Sequence, residues 1–267
     1  HKDHVAYGSL LQHYTGWNSI SGYPEREPVT GGLWADPWVG MELAMVTAAA
    51  LNNRALTGQG QYVDFSMAEA LSAGIPEAIL DYQMNGRVKE PLGNRDDWYA
   101  PHGVYHCAGA DRWVAIAVTS DAEWVSLCQL MHRPDLAADP LYGGAAGRRD
   151  HQDHLDAAIT EWTMQHEDHV AMQLLQQAGV PSGPSQDILR VFNEPQLREA
   201  GYFTELHTNG GGLRDLPGLP WRLDGGPEPC LTEAPVLGQH NAYVYQELLG
   251  LPETERSEEH TSELQSL

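Results

Sequence analysis

Residues 31–54, GGLWADPWVGMELAMVTAAALNNR, place an acidic residue, Asp36, between two tryptophans at the start of a long apolar segment. From Met41 to Leu56 apolar residues and five alanines predict a helix that is packed on nearly all sides. Asp is favoured at the N-cap and Pro at the first helical position, so helix capping alone explains Asp36 followed by Pro37. A carboxylate left uncovered at a helix N-terminus is also a nucleophile in a positive field. The pattern leaves both interpretations open.

The segment that follows predicts a short α/β unit. TGQGQ, residues 57–61, breaks the helix, and QYVDFS, residues 61–66, alternates in the manner of a strand. MAEALSAGIPEAILDYQM, residues 67–84, returns to a helical pattern with an interruption around residues 74–76. A helix, a glycine turn, a strand and a second helix in succession are typical of an α/β fold.

A second unit follows a polar, turn-rich stretch at residues 86–101, which is predicted to be a linker or an active-site loop. GVYHCAGADRWVAIAV, residues 103–118, predicts a β-hairpin. Ser120 and Glu123 have the spacing of a capping box and predict the start of an amphipathic helix, with further helices over residues 150–178.

The carboxy-terminal part is rich in Gly and Pro from residue 209 to residue 229, which is typical of a linker. The NGGG at residues 209–212 has no P-loop lysine and predicts a turn. NAYVYQELLGL, residues 241–251, predicts a final helix that ends at Gly250.

The composition excludes several classes of function. The 267 residues include 37 acidic and 15 basic side chains, a formal charge of −22, and no basic run, which argues against a nucleic-acid or anionic-membrane surface. Cys107, Cys128 and Cys230 are widely spaced without a CxxC pattern, so neither a disulfide framework nor a cysteine zinc site is predicted. These features, with no apolar run of membrane-spanning length, favour a cytoplasmic protein.

Histidines and aspartates cluster at helical spacing in residues 150–154, DHQDH. Without an HExxH arrangement, such a cluster is more often a solvated helix face, so no metal site is predicted.

Both ends of the chain carry unusual sequence. The amino terminus, HKDHVAYGSLLQ, has no initiator Met, and we expect it to continue from a longer protein. The last twelve residues, RSEEHTSELQSL at 256–267, resemble the translation of a common sequencing adapter, and we expect them to be non-native.

GLWADPWVGMELAMVTAAALNNRALTGQGQYVDFSMAEAL, residues 32–71, resembles the signature of the class III CoA-transferase family, which includes the formyl-CoA and carnitine CoA-transferases and is also called CaiB/BaiF-like. In that family an aspartate opens a helix that leads to an R-x-x-TG-x-GQ-x-V-D-x-S turn and strand. The matching positions here are Arg54, Thr57, Gly58, Gly60, Gln61, Val63, Asp64 and Ser66. The resemblance continues through residues 93–105, 178–184 and 233–250.

The resemblance implies a role for Asp36 as nucleophile. In the family this carboxylate attacks the thioester of an acyl-CoA, forms an aspartyl anhydride and then an aspartyl-CoA thioester, and passes the CoA to a second carboxylic acid. Tyr7, Gly93 and Asn94 match positions expected to contact the CoA thioester, although GNRDDW is poorer in glycine than the corresponding family loop. Coenzyme A is then a substrate, and no permanently bound cofactor is expected.

Two alternatives remain at this stage. The α-methylacyl-CoA racemases share the aspartate but pair it with a His in a G-H-D-x-N-Y stretch, where this chain has Tyr7 and Gly8. A proton shuttle needs a group of suitable pKa on each face of the carbon, which disfavours a racemase unless His4 or His13 replaces the missing base. The second alternative is a non-catalytic member in which Asp36 is only a helix cap.

The family fold is α/β, with a Rossmann-like large domain, a smaller α/β domain and an interlocked homodimer. By resemblance, residues 1–85 are the second half of the large domain, 86–100 a linker or active-site loop, 101–206 the small domain, 207–219 a linker, and 220–252 the return to the large domain. The first part of the large domain, which supplies most CoA contacts in the family, is expected to lie outside this sequence, so we expect these residues alone to be inactive. Trp17 and Trp38 are expected to line a pocket for a hydrophobic or medium-sized acid.

Overall fold

The computed structural model describes residues 6–28, 31–208, 211–225 and 233–252. It has a mixed α/β architecture and divides into two compact units, residues 1–185 and residues 186–267. The terminal stretch at 256–267 and Cys230 lie outside the described residues.

The first unit is mainly helical and contains one small sheet. Its α-helices are α1 (Gly8–Tyr14), α2 (Trp17–Ile20), α3 (Ala35–Thr57), α4 (Met67–Ala73), α5 (Pro76–Asn85), α6 (Asp121–Leu130), α7 (Pro134–Ala138), α8 (Ala145–Asp150), α9 (Gln152–Thr163) and α10 (Asp168–Gln177), with a 3-10 turn at Pro140–Tyr142. Its strands are β1 (His102–His106), β2 (Trp113–Ala117) and β3 (Ser182–Pro184).

The predicted hairpin is confirmed as the antiparallel pair β1 and β2, with Val104 opposite Ala115. Strand β3 pairs antiparallel on the other edge of β2, so the order is β1-β2-β3. The main hydrophobic core lies between this sheet and helices α6, α7, α9 and α10, which connect β2 to β3 along the chain. Its fully buried members include Val114, Ile116, Trp124, Leu127, Leu155, Ile159 and Leu175.

The predicted capping box at the start of α6 is also confirmed. The Ser120 hydroxyl accepts a hydrogen bond from the Glu123 backbone N–H at 3.2 Å, and a Glu123 carboxylate oxygen accepts one from the Ser120 N–H at 3.2 Å. Two otherwise unpaired donors at the helix start are satisfied in this way.

Helix α3 forms where the sequence predicts it and ends at Gly58, whose φ of +74° is the left-handed conformation that Gly favours at a helix end. The prediction that this helix is packed on nearly all sides is wrong. Only Ala35 and Val39 are buried, whereas Met45 is 68% exposed and Leu56 79% exposed. Alanine and leucine favour a helix through their backbone propensity, which does not require a packing partner.

The predicted strand at residues 61–66 is also wrong, because the backbone there is irregular and Tyr62 is 92% exposed. A strand is stable only when a neighbouring strand pairs its N–H and C=O groups, and no described segment does so here. Ser66 instead caps α4 by accepting a hydrogen bond from the Glu69 N–H at 3.3 Å. The predicted interruption after α4 is confirmed, since α5 begins with Pro76 at its first position.

The second unit contains α11 (Ile188–Phe192), α12 (Pro195–Glu199), the antiparallel hairpin of β4 (Phe203–Thr208) and β5 (Gly212–Pro217), and a π-helical segment at Tyr243–Leu248. The β4–β5 hairpin was not predicted, and its turn lies partly outside the described residues. The predicted final helix forms from residue 241, mostly with π rather than α geometry, and stops before Gly250 at φ +68°.

Replacement of Ser120 by Ala tests the capping box. We expect Ser120→Ala to lower the free energy of unfolding by about 1 kcal/mol, because the Glu123 N–H loses its acceptor at the start of a helix that packs in the main core. Chemical denaturation followed by circular dichroism measures the change. Ser126→Ala, inside the same helix, is the control and should leave stability unchanged or slightly raised. Equal losses in the two variants would contradict the capping role.

Candidate functional site

Asp36 lies in the first turn of α3, directly after the first helical residue, Ala35. The N-cap position is Trp34, and no side chain caps this helix, so the interpretation of Asp36 as the N-cap is wrong. The helix begins earlier than Pro37 suggests, and Pro37 is tolerated inside the first turn because the N–H groups there have no partner within the helix. The Asp36 side chain is exposed, and no hydrogen bond or ion pair reaches it from the described ranges. It is an unengaged carboxylate at the positive end of a long helix.

The start of α1 approaches this carboxylate closely. A methyl group placed on Gly8 would lie 3.0 Å from Asp36 Cγ, 3.3 Å from Oδ2 and closer still to Oδ1, so a side chain here would push the carboxylate aside. Tyr7 immediately precedes Gly8 and is 76% exposed. The structure therefore brings Gly8 to Asp36, a contact that has no sequence signature, and the expected contact of Tyr7 with the CoA thioester stays a prediction.

Three tryptophans form a cluster beside Asp36. The ring centroids of Trp17 and Trp34 are 4.8 Å apart, and Trp38 lies 6.2 Å from the first and 6.0 Å from the second, all in edge-to-face arrangements. The Trp17 indole N–H donates to the Leu71 carbonyl at 2.7 Å, which fixes that ring. The two residues that flank Asp36 in the sequence thus join a third aromatic ring, and the cluster gives the site an apolar border.

A small hydrophobic core lies under the first turn of α3, on the side away from the Asp36 side chain. Its members come from α1 to α4 and the loops between them, and are Leu11, Trp17, Trp34, Ala35, Val39, Phe65, Met67, Ala70 and Leu71. Because Ala35 and Val39 flank Asp36 on α3 and are buried, the backbone of the first turn is held against α1 and α4 while the Asp36 side chain points out of the core.

Gly93 and Asn94 are engaged with a different loop. The Gly93 N–H donates to the Gly22 carbonyl at 2.8 Å, and the Asn94 side-chain amide donates to the Tyr23 hydroxyl at 2.8 Å. Gly93 has a φ of +64° and packs so closely on Tyr23 that a methyl group on it would lie 2.7 Å from the ring. Neither residue hydrogen-bonds to Asp36 in this structure.

Side chains of α8 and α9 bind the turn-rich stretch after α5. Arg95 forms ion pairs with Asp153 and Asp156, the latter at 3.1 Å. The buried Arg148 donates to the Ala100 carbonyl at 2.7 Å, and Arg149 donates to a backbone carbonyl of the same stretch. The predicted linker or active-site loop is therefore an ordered segment bonded to α8 and α9.

A cavity of about 1010 Å³ lies between this segment and α5, and it shares Trp17 with the tryptophan cluster. Apolar side chains dominate its wall, among them Ile20, Ile75, Ala78, Met84, Val88, Leu92 and Trp98. The Arg87 guanidinium hydrogen-bonded to Asp81 lowers the pKa of that carboxyl below its usual value. Asp36 does not line the cavity. The unengaged carboxylate is the stronger candidate site, because a reaction needs a reactive group and a cavity alone supplies none.

Other candidate reactive groups are engaged or buried. Burial raises the pKa of the Cys107 thiol to about 11 and that of Cys128 to about 12, which removes both thiols as nucleophiles near neutral pH. His154 of the predicted solvated cluster stacks on Tyr142 and is hydrogen-bonded to its hydroxyl at 3.0 Å. Within the described residues no group of three or more His, Cys, Asp or Glu side chains could hold a metal ion, and no helix there is long and apolar enough to cross a membrane.

Comparison with protein families gives one match over most of the chain. The family model described as CoA-transferase family III matches residues 1–241. Succinyl-CoA–D-citramalate CoA-transferase of Chloroflexus aurantiacus is 30% identical over 258 residues, which cover 95% of this chain and 63% of that protein. Succinate–glutarate CoA-transferase of Agrobacterium fabrum is 27% identical over 249 residues, covering 92% of this chain and 61% of that protein.

Solved structures show the same likeness. A CAIB/BAIF family protein from Brucella suis superposes with a TM-score of 0.81 at 25% identity, covering 92% of this chain and 64% of that chain. Rv3272 of Mycobacterium tuberculosis superposes with a TM-score of 0.76 at 20% identity, which shows a shared fold. The chain spans less than two thirds of the length of each of these four proteins.

Thiol alkylation tests whether the buried cysteines are inert. In a Cys230→Ser variant, we expect Cys107 and Cys128 to resist iodoacetamide at about pH 8, because both are buried and their thiolates are disfavoured. Both should react after denaturation in guanidinium, as counted by mass spectrometry. Alkylation of either thiol in the native protein at the rate of a free cysteine would contradict the burial seen here.

Proposed function

Because the chain belongs to CoA-transferase family III, we propose that the protein transfers coenzyme A from an acyl-CoA thioester to a free carboxylic acid, with Asp36 as the nucleophile. The observation that carries the proposal is the exposed Asp36 carboxylate, which has no described hydrogen-bonding or ionic partner and lies at the N-terminal end of α3. The buried residues beside Asp36 on α3 hold the helix start in place and leave this carboxylate at the surface, where a thioester can reach it.

The proposed reaction balances without an external acid or base. An Asp36 oxygen attacks the thioester carbonyl, the C–S bond breaks, and CoA leaves as a thiolate with the aspartyl anhydride behind it. The thiolate attacks the Asp36 carbonyl, which releases the donor acid as a carboxylate and leaves an aspartyl-CoA thioester. The acceptor carboxylate then attacks that thioester, and the thiolate released attacks the acceptor carbonyl of the new anhydride, which regenerates the Asp36 carboxylate.

Each tetrahedral intermediate carries an oxyanion that needs hydrogen-bond donors. We retain Tyr7, Gly93 and Asn94 as proposed contacts of the CoA thioester. The exposed phenol of Tyr7 stands next to Gly8, which supports its place in the proposal. The Gly93 N–H is occupied by the Gly22 carbonyl, so it can donate to an oxyanion only after the loop shifts.

The relatives guide the choice of substrates. Those compared above are named for succinyl-CoA with D-citramalate and for succinate with glutarate, and others are named for succinyl-CoA with L-malate or mesaconate. We therefore propose a dicarboxylic acid as first acceptor and succinyl-CoA as first donor. The tryptophan cluster of Trp17, Trp34 and Trp38 adds aromatic and other apolar acids to the panel.

The remaining parts of the proposal rest on the family and the composition. We propose a homodimer in the cytoplasm, with coenzyme A as substrate and no resident cofactor. The exposed apolar side chains of α3, such as Met45 and Leu56, are consistent with further protein surface covering this helix in the complete enzyme. We also expect residues 1–267 by themselves to give no turnover, because in the family most CoA contacts come from the first part of the large domain.

Replacement of Asp36 by Asn tests the nucleophile. We expect Asp36→Asn in the full-length protein to lower kcat on the order of a thousandfold, because an amide cannot form the anhydride. The free energy of unfolding should change by less than about 0.5 kcal/mol, since the side chain is exposed and caps nothing. Activity is measured with the dicarboxylic and aromatic acid panel, and stability by denaturant titration.

Trapping identifies the intermediate. Wild-type protein incubated with acyl-CoA and hydroxylamine should carry a hydroxamate on Asp36, located by mass spectrometry, and the Asn variant should carry none. Washing of α-deuterium into a branched acyl-CoA without any adduct would favour the racemase instead. An active Asn variant would contradict the proposal outright.

Replacement of Gly8 by Ala tests the close approach to the carboxylate. The added methyl group would occupy the space of the Asp36 carboxylate and displace it, so we expect kcat to fall roughly tenfold or more. The matched control is Gly40→Ala in α3, where a methyl group meets nothing within 4 Å and should leave kcat unchanged. Equal kcat values for the Gly8 variant and the wild type would show that the contact does not set the position of Asp36.

A further inference from the structure

Gln12 is a buried polar residue on the helix that meets Asp36. It lies four residues after Gly8 on α1, so the two residues share one face of that helix. Gly8 faces the Asp36 carboxylate, and the Gln12 side chain, which is 0% exposed, faces the chain that enters α3.

The Gln12 amide binds the segment directly before Asp36. Its Nε2 donates to the Gly32 carbonyl at 2.9 Å, and Gly32 has a φ of +72°, a backbone conformation that favours Gly. Only three residues separate Gly32 from Asp36. A methyl group on Gly31 would lie 2.9 Å from the Trp34 indole nitrogen and 3.8 Å from Gln12 Oε1, so Trp34 crowds this backbone and Gln12 is in ordinary contact range of it.

The oxygen of the Gln12 side-chain amide has no hydrogen-bond partner among the described residues. Gln12 Oε1 is buried and has no hydrogen-bond partner within the described part of the chain. A buried polar atom without a partner costs about 1–3 kcal/mol, and an apolar side chain of the same shape would avoid that loss. Gln152 on α9 has the same unpaired oxygen, so what distinguishes Gln12 is its position beside the entry to α3 and Asp36.

We propose that Gln12 is a positioning residue for Asp36. Its bond to the Gly32 carbonyl fixes the backbone that enters α3. Gly8, on the same face of α1, limits the space of the Asp36 carboxylate. One helix face therefore positions both the backbone and the side chain of Asp36. The inference rests on the proposed role of Asp36 in acyl transfer. A nucleophile must lie close to its line of attack, and a shift of about 1 Å can lower a rate a hundredfold.

The chain supplies a matched control. Gln152, on α9, is 1% exposed, donates its Nε2 to the His102 carbonyl at 3.0 Å, and also has an unpartnered buried Oε1. Its described hydrogen bonds go to β1 and to Asp156 on its own helix, and none goes to α1 or α3. The same substitution at both positions therefore separates a local effect on Asp36 from the general effect of losing a buried glutamine.

The kinetic experiment compares Gln12→Met with Gln152→Met in the full-length protein. Methionine keeps the approximate volume and removes both the donor and the unpaired acceptor. We expect Gln12→Met to lower kcat roughly tenfold or more with KM for acyl-CoA within about twofold, and Gln152→Met to leave both unchanged. Equal falls in kcat for the two variants, or no fall for Gln12→Met, would overturn the inference.

A second measurement does not depend on transferase activity. Carbodiimide with an amine nucleophile labels exposed carboxylates, and the labelling rate of Asp36 is followed by mass spectrometry. Without the bond from Gln12 to Gly32, the backbone before α3 can move and the Asp36 carboxylate can move away from Gly8, where it is more accessible to the reagent. We therefore expect the labelling rate to rise in Gln12→Met and not in Gln152→Met. An unchanged rate in the Gln12 variant would overturn the inference.

Gln12→Glu covers the case in which the methionine variant does not fold. It keeps the shape and replaces the amide donor by a carboxylate oxygen facing the Gly32 carbonyl, so the labelling rate should rise here as well. If the wild type shows no adduct with any acyl-CoA, the proposed function fails, and the labelling rates still decide whether Gln12 positions Asp36.

Discussion

The contact between the Gly8 backbone and the Asp36 carboxylate is the constraint on which the site depends. It joins α1 to α3, two helices separated along the chain by α2 and a loop, and it forms only because Gly8 has no side chain. The small core around Ala35 and Leu71 holds these helices together with α4. Packing in this core fixes the backbone of the first turn of α3 and leaves the Asp36 side chain at the surface.

The ion pairs of the segment after α5 order that segment and do not involve Asp36. Arg95 pairs with two aspartates, Lys89 pairs with Asp97, and Arg87 pairs with Asp81, so the basic side chains of the segment after α5 are already neutralised. Exposed pairs of this kind each contribute about 0–1 kcal/mol, but several together fix the path of an otherwise turn-rich chain. The acidic chain therefore uses its few cations to order a loop, and the field at Asp36 comes mainly from the end of α3.

Local features of the fold could be predicted from the sequence, and features that depend on a distant partner could not. The capping box at Ser120 and the stop at Gly58 are written in residues next to one another. The strand predicted at 61–66 and the burial predicted for α3 both need a neighbour, which periodicity does not supply. Asp36 was found through a family signature, whereas Gly8 and Gln12 became visible only when the fold brought α1 against the entry to α3.

Unpaired buried polar atoms show where a sequence departs from the best packing. Within the described residues they are Gln12 Oε1, Trp124 Nε1 and Gln152 Oε1. Trp124 belongs to the large core, and Gln152 begins α9, the helix that contributes Leu155 and Ile159 to it, so many buried apolar side chains there compensate for the loss. Gln12 lies beside the much smaller core that carries Asp36, where the same loss is a larger fraction of the local packing energy. A loss of that relative size is expected at a functional position, because selection for activity keeps a residue that selection for stability would replace.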